Sequence, residues 1–157
     1  MSEIRLCTEK ALDVLADVYV KAYASVDVGE KWDQESAHKL LQYWLKRQPD
    51  LFFLAETDSK IVGGFVAGIK PWWDGNHLVD GEIFVDPGYQ GKGVGSELSK
   101  VMFGTAMEKY GARIWDAFTF RKPDFPKGWY QKLGFKEVKE WMMISGDLEN
   151  ALEILGK

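Results

Sequence analysis

The chain has 157 residues, of which 46% are hydrophobic and 28% are charged, and its formal net charge is −4 at neutral pH. This length and composition are typical of one globular domain, so we predict a single domain over residues 1–157. The acidic balance and the lack of a long basic run argue against a nucleic-acid surface, because neutralising phosphates requires clustered Lys and Arg.

The sequence shows no metal-binding pattern, no signal peptide and no membrane-spanning stretch. Cys7 is the single cysteine and is expected to be a buried thiol. His38 and His77 are too far apart in sequence for a metal-binding pair, so no metal is expected, and His77 is expected to be exposed at a strand start. The N-terminus has no apolar signal region and no stretch reaches transmembrane length, so a cytoplasmic protein without a membrane partner is predicted.

Hydrophobic spacing divides the first half of the chain into a strand, two helices and three strands. The strands are predicted at 4–7, 51–56, 61–69 and 77–85. Thr8 is expected to cap the first helix, and Asp33 the second, which Pro49 stops. Residues 71–76 are predicted to be a loop.

The second half is predicted to hold three helices and three strands. A helix over 93–110 ends at Gly111, a strand covers 112–118, and a short helix runs from Pro126 to Gly134. A tight hairpin is predicted from strands at 135–138 and 141–145, before a last helix capped by Asp147. This order predicts an α+β fold with a mixed sheet covered by helices.

A glycine-rich loop, Gln90–Ser96, follows the third long strand and precedes a helix. Its alternating glycines let the backbone approach an anion, and the first N–H groups of a helix favour negative charge. A Rossmann fingerprint fails because Ser96 stands at the third glycine, and a P-loop fails because Val94 stands where lysine is needed. The remaining structural alternative is a turn that only starts a helix.

Two motifs carry a resemblance to a known family. Gln90-x-x-Gly93-x-Gly95 resembles the Q/R-x-x-G-x-G/A motif of the GNAT superfamily of N-acetyltransferases. Trp129–Phe135 resembles the family's aromatic-Tyr-x-Lys-x-Gly-Phe signature. The two motifs stand in the family's order, and the predicted order of strands and helices matches the family's fold over nearly the whole chain. The resemblance implies a mixed, mostly antiparallel central sheet flanked by helices, and acetyl-CoA as co-substrate.

The resemblance also implies roles for the cofactor side. The backbone of Ile83, Phe84 and Val85 would pair with the pantetheine arm, and an N–H near Val85 would stabilise the oxyanion. Tyr130 would be the general acid toward the thiolate, with a packed tyrosine as the alternative. The diphosphate would be held by the backbone amides of Gln90, Gly91, Lys92, Gly93, Val94, Gly95 and Ser96.

One departure from the family concerns the segment before Tyr130. Pro123 stands where many members have an asparagine that contacts the cofactor. Arg121, Lys122 or Lys127 are candidates for a CoA phosphate contact in its place, although a solvated basic loop is the favoured interpretation of these three residues.

The acceptor side offers two carboxylates on one predicted strand. Family members often use such a carboxylate as the base that deprotonates the amine. Asp80 and Glu82 are two residues apart and are therefore expected to share one face of the strand, with Glu82 favoured as the base. The resemblance places the loops that carry Trp32, Trp72 and Trp73 around the acceptor pocket, where rings suit a cation; ordinary packing is the equal alternative.

Three functions follow as hypotheses. The leading one is transfer of an acetyl group from acetyl-CoA to a primary amine of a small molecule or peptide, by direct attack in a ternary complex. The second is a CoA-binding sensor without turnover, and the third is an interaction module in which the glycine loop is only a turn. The resemblance also allows a homodimer.

Overall fold

The computed structural model describes residues 1–26, 28–122 and 124–156. They form two compact units, Met1–Phe120 and Arg121–Lys157. Pro123, which departs from the family motif, lies outside the described residues. The single domain over 1–157 stays a prediction.

The first unit is built on a five-stranded sheet in the order β1-β2-β3-β4-β5. Neighbouring strands from β1 to β4 are antiparallel, and β4 and β5 are parallel. This confirms the mixed, mostly antiparallel sheet. The strands are β1 (Glu3–Leu6), β2 (Phe52–Thr57), β3 (Lys60–Trp72), β4 (Gly75–Val85) and β5 (Ile114–Asp116).

Helices cover both faces of this sheet. Helices α1 (Leu12–Ala24) and α2 (Gln34–Arg47) bury their apolar sides against the face that carries Val66. Helix α3 (Val94–Tyr110) packs on the other face, where the ring of Phe103 lies 6.1 Å from that of Phe65. Phe65 and Val66 are adjacent on β3 and therefore point to opposite faces, so the two layers use alternate residues of the same strand.

Local sequence signals account for the helix ends. The Asp33 carboxylate accepts a hydrogen bond from the Ser36 N–H at 2.8 Å, which confirms Asp33 as the cap of α2. Gly111 has a φ of +65° and ends α3, as predicted. Thr8 does not cap with its side chain, because a 3-10 turn over Glu9–Ala11 comes first and α1 begins only at Leu12.

The predicted loop at 71–76 is wrong. Strands β3 and β4 pair as far as Trp72 and Gly75, which leaves Trp73 and Asp74 as a two-residue turn. Gly75 has a φ of +130°, a backbone conformation that only glycine adopts without strain. The result is one long hairpin with both tryptophans at its tip.

A bulge interrupts β4 in the middle of this hairpin. Val66 pairs with Glu82 and Gly68 pairs with Val79, so one residue of β3, Ala67, lies opposite two residues of β4. Gly81 has a φ of +96°, and a Cβ there would lie 2.0 Å from the carbonyl oxygen of Val66. Glycine is therefore required at this position, and β4 bends away from regular pairing.

The second unit contains two helices and, among its described residues, no strand. They are α4 (Asp124–Lys132) and α5 (Leu148–Ile154), the latter capped by Asp147 as predicted. The predicted hairpin over 135–145 is absent, because alternating apolar residues form a strand only where a second strand supplies hydrogen-bond partners. No helix among the described residues has the length and apolar character needed to cross a membrane.

Candidate active site

The bulge leaves one edge of β4 open at its C-terminal end. Strand β5 pairs with β4 only over His77–Val79. Beyond the bulge, Glu82–Val85 pairs with β3, and no described strand pairs with its other side. A free edge of this kind offers backbone N–H and C=O groups to an extended ligand. Ile83, Phe84 and Val85, predicted to contact the pantetheine arm, form this edge.

Hydrogen bonds connect the segment after β4 to the end of the strand. The side-chain amide of Gln90 donates to the carbonyl oxygen of Val85 at 2.9 Å. The Asp86 carboxylate accepts from the N–H of Gly88 at 2.9 Å, which tightens the turn. Lys92 donates from its Nζ to the Gly88 carbonyl oxygen at 2.8 Å. The motif glutamine therefore connects the free strand edge to the glycine loop.

The loop presents open backbone at the start of α3. Gly91 and Gly93 have φ values of +74° and +90°, and a Cβ at either would meet nothing within 4 Å. Gly93 is the N-cap, so the N–H groups of Val94, Gly95 and Ser96 have no acceptor within the helix. Free N–H groups, glycine backbone and open space fit a diphosphate group.

Glu82 is the charged residue on the β4 edge, and two tyrosines of α1 reach it. Tyr23 donates its hydroxyl to Oε2 of Glu82 at 2.6 Å, and Tyr19 donates to the same oxygen at 3.2 Å. Glu82 is partly buried in this position. Burial raises the pKa of Glu82, and the two hydroxyl hydrogen bonds partly oppose that rise. Glu30 and Asp80 also raise it, through their negative charge.

An aromatic cluster surrounds this carboxyl and consists of Tyr19, Tyr23, Trp32 and Phe84. Tyr19 stacks on Tyr23 with a centroid distance of 4.4 Å, and it meets Trp32 and Phe84 edge-on at 5.2 and 5.0 Å. The indole N–H of Trp32 donates to Glu30 at 2.7 Å. Trp32, predicted at the acceptor pocket from sequence, therefore lies in the cluster that holds Glu82.

The other predicted acceptor residues lie elsewhere in the unit. The expectation that Asp80 and Glu82 share a face fails, because the bulge falls between them and Asp80 is exposed with a φ of +49°. Trp72 is six positions beyond Val66, the partner of Glu82, which places it about 20 Å away along the strand. Trp73 follows it in the turn and is 87% exposed. The structure does not bring these tryptophans to Glu82.

Tyr130 belongs to the second unit. It is buried, and its ring lies 5.1 Å from that of Trp129 and 5.8 Å from that of Phe135. The N–H of Phe135 donates to the carbonyl oxygen of Tyr130 at 3.1 Å. The second sequence motif thus forms one local packing unit in which the aromatic residues hold the tyrosine ring.

His77 is buried at the other end of β4, which corrects the expectation of an exposed histidine. Its Nδ1 lies 2.6 Å from Asp116 and its Nε2 lies 2.8 Å from Asp74. These two carboxylates, Asp116 above all, raise the pKa of His77. Among the described residues, no group of three or more His, Cys, Asp or Glu side chains is arranged to hold a metal ion.

A family model of the acetyltransferase (GNAT) domain matches residues 48–137, more than half of the chain. The chain belongs to the GNAT family of acetyltransferases. The match contains Glu82, the Gln90–Ser96 loop and Tyr130. Helix α1 and Trp32 precede it.

Relatives and solved structures agree with this assignment. An uncharacterized N-acetyltransferase of Methanocaldococcus jannaschii is 32% identical over 90% of the chain, which spans 65% of that relative's length. An aminoglycoside N-acetyltransferase, AAC(6′)-Iy in complex with CoA, has a TM-score of 0.72 at 20% identity, covering 93% of this chain and 95% of that one. A predicted acetyltransferase with acetyl-CoA from Clostridium acetobutylicum has a TM-score of 0.73 at 15% identity, covering 92% of this chain and 96% of that one. The structural likeness shows the fold.

Sequence reasoning singled out the loop and Glu82 but missed the residues that hold Glu82. The sequence predictions name none of Tyr19, Tyr23 and Glu30. One signal was present: Tyr19 and Tyr23 are four residues apart, which places two hydroxyls on one helix face.

Proposed function

We propose that this GNAT acetyltransferase moves an acetyl group from acetyl-CoA to a primary amine of a small molecule or peptide, by direct attack within a ternary complex. The observation that carries the proposal is Glu82, a partly buried carboxylate that two tyrosine hydroxyls bind beside the free edge of β4. When bound, acetyl-CoA supplies the activated acetyl thioester.

Two features support the cofactor side of this proposal. The free edge at Ile83, Phe84 and Val85 suits backbone pairing with the pantetheine amides. The glycine loop and the first N–H groups of α3 suit the diphosphate, because both its charge and its oxygens find donors there. Gln90 keeps these two parts in register through its bond to Val85.

Glu82 supports the acceptor side. An amine attacks a thioester only as the free base, so the ammonium must first lose a proton. Burial raises the pKa of Glu82 toward the range in which a carboxylate takes up that proton efficiently. Glu30 and Asp80 add negative charge near it, and Trp32 adds an aromatic face, both of which favour a cationic acceptor. Asp80 remains the second candidate for the base, and Trp72 and Trp73 remain proposed acceptor contacts.

Tyr130 is proposed as the general acid that protonates the departing thiolate. Its support is the Trp129–Phe135 motif and the packing that holds its ring. Glu82 would accept the first proton of the ammonium, Tyr130 would give its proton to the departing thiolate, and the second proton that the nitrogen loses would restore the phenol. The proton on Glu82 then passes to solvent, so each transfer from an ammonium releases one proton. A cytoplasmic location and a homodimer belong to the same proposal.

The test measures free thiol released from acetyl-CoA with a panel of polyamines, aminoglycosides, amino acids and short peptides. We expect release that depends on the amine and that falls strongly in Glu82→Gln. The alternative, a CoA-binding sensor, draws on Pro123 in place of the motif asparagine. Binding of acetyl-CoA by calorimetry without release for any amine would favour that alternative over the enzyme.

A further inference from the structure

Helix α1 presents two phenols to the active-site carboxyl. Tyr19 and Tyr23 lie one turn apart, on the same face of the helix, with their rings stacked at an interplanar angle of 23°. Tyr19 is 1% exposed and belongs to the core. Both residues precede the segment 48–137 that the family model matches. Tyr19 and Tyr23 therefore lie outside both of the sequence motifs that resemble the family.

The two hydroxyls bind the carboxyl unevenly. Both donate to Oε2 of Glu82, at 2.6 Å from Tyr23 and 3.2 Å from Tyr19. No described residue donates a hydrogen bond to Oε1. A carboxylate has two oxygens of equal basicity when both are free, so two donors on one oxygen leave the other as the better proton acceptor.

We infer that Tyr23, supported by Tyr19, is a positioning residue that holds Glu82 by Oε2 and reserves Oε1 for the proton of the acceptor ammonium. This inference rests on the proposed function. In the step itself an N–H bond of the ammonium breaks and an O–H bond forms at Oε1. The nitrogen keeps the electron pair with which it attacks the thioester.

The phenols suit this task because they stay protonated. Burial and the negative charge of Glu82 raise the pKa of both Tyr19 and Tyr23. They therefore donate hydrogen bonds throughout the physiological pH range. Burial raises the pKa of Glu82, and Glu30 and Asp80 act in the same direction. The two hydroxyl hydrogen bonds lower this pKa and therefore favour the ionised carboxylate.

The experiment is a pH profile of kcat/KM for Tyr23→Phe with the best amine from the panel. Removing the hydroxyl keeps the ring stack but removes a hydrogen bond to a charge. We expect kcat/KM to fall about tenfold at the acidic end and to recover to within about twofold on the alkaline plateau. Acetyl-CoA affinity should not change, and Tyr19→Phe should show the same pattern more weakly, because its bond is longer.

Tyr43→Phe is the matched control. Its hydroxyl accepts a hydrogen bond from Arg47 at 2.8 Å on the exposed side of α2, away from Glu82. Its pH profile should equal that of the wild type. A fall of equal size at every pH in Tyr23→Phe would overturn the inference, because a residue that only maintains packing does not move the acidic limb.

The double variant Glu82→Gln/Tyr23→Phe tests whether Tyr23 acts through Glu82. We expect it to be no less active than Glu82→Gln alone, since the carboxylate that Tyr23 holds is then gone. An additional tenfold loss in the double variant would show that Tyr23 acts elsewhere, and it would overturn the inference.

A readout without turnover separates this inference from the proposed function. The carboxyl resonance of Glu82, assigned by its loss in Glu82→Gln, is followed by pH titration in protein labelled with ¹³C-glutamate. The titration midpoint should move upward in Tyr23→Phe and stay in place in Tyr43→Phe. An unmoved midpoint in Tyr23→Phe overturns the inference, whereas a wild type without amine-dependent thiol release overturns only the proposed function.

Discussion

Strand β4 carries a titratable group at each end, and their surroundings differ. Both ring nitrogens of His77 are bonded, to Asp116 at 2.6 Å and to Asp74 at 2.8 Å. Glu82 has both of its donors, Tyr19 and Tyr23, on one oxygen. The strand is paired on both sides at His77 and only on one side at Glu82.

Under the proposed function, the difference separates a structural cluster from a reactive one. A buried group whose hydrogen-bonding capacity is filled has nothing left for a substrate, and it contributes to the stability of the fold. A partly buried group beside a free strand edge, with one oxygen that receives no hydrogen bond from the protein, lowers the stability of the fold. That oxygen is available to a substrate. Burial with a shifted pKa occurs at both ends of β4, so it cannot by itself identify the active site.

Glu82→Gln gives the strongest test of this contrast. Gln keeps the size of the side chain but removes the base, so we expect turnover to fall about 100-fold or more while the protein stays folded. Thiol release at saturating acetyl-CoA measures it. Glu35→Gln, on the exposed side of α2, is the control and should behave as the wild type. A greater loss in Asp80→Asn than in Glu82→Gln would transfer the role of base to Asp80.

Tyr130→Phe tests the other half of the proton chemistry, in the second unit. If Tyr130 protonates the departing thiolate, loss of the phenol should lower turnover about 10- to 100-fold and leave acetyl-CoA affinity intact. Single-turnover kinetics and calorimetry measure the two quantities. Unchanged turnover would remove Tyr130 from the mechanism and leave protonation of the thiolate to water.

Local signals made the geometry of the glycine loop predictable. Gln90, Gly93 and Gly111 each act within a few residues of their own position: the first binds Val85, and the glycines begin and end α3. Asp33 likewise caps α2 through Ser36. Patterns of this kind are visible in one sequence because the interacting groups are neighbours in the chain.

The predictions for the proposed acceptor pocket depended on strand register, which the sequence did not specify. Spacing placed Asp80 and Glu82 on one face, but the bulge at Gly81 shifts the alternation by one residue. The contact from Tyr23 to Glu82 joins residues 59 positions apart and exists only once α1 lies on the sheet. The segment 135–145 shows the same limit, since its alternation suits a strand but specifies no partner.

The two ends of α3 allow the same comparison between a structural position and a proposed functional one, here Gly111 and Gly93. Gly93 and Gly111 both have positive φ, and a Cβ at either meets nothing within 4 Å. Substitution by Ala should therefore strain both positions by a similar amount, about 1 kcal/mol. Only at Gly93 would the methyl group face the proposed diphosphate, so we expect acetyl-CoA to bind about tenfold more weakly in Gly93→Ala. Equal affinity in Gly93→Ala and Gly111→Ala, measured by calorimetry, would undo the loop assignment.

The smallest effect on activity is expected from His77→Gln, at the end of β4 that pairs with both β3 and β5. The folded-state pKa of His77 is raised above its unfolded value, so its contribution to stability is complete below the unfolded pKa, near 6.5, and is lost as pH rises through the folded pKa. The variant should lose about 1–3 kcal/mol of unfolding free energy at acidic pH and less at alkaline pH. Urea unfolding across this range measures the difference.

His38→Gln is the control for that experiment, because His38 contacts Asp13 at a site where the carboxylate is 79% exposed. It should change the unfolding free energy by no more than about 0.5 kcal/mol at any pH. Turnover per folded molecule should be unchanged in His77→Gln, since every bond of that ring is made within the fold. A loss of turnover with stability intact would place His77 in the catalytic machinery. Both ends of β4 would then take part in catalysis, and the contrast between a structural end and a reactive end would fail.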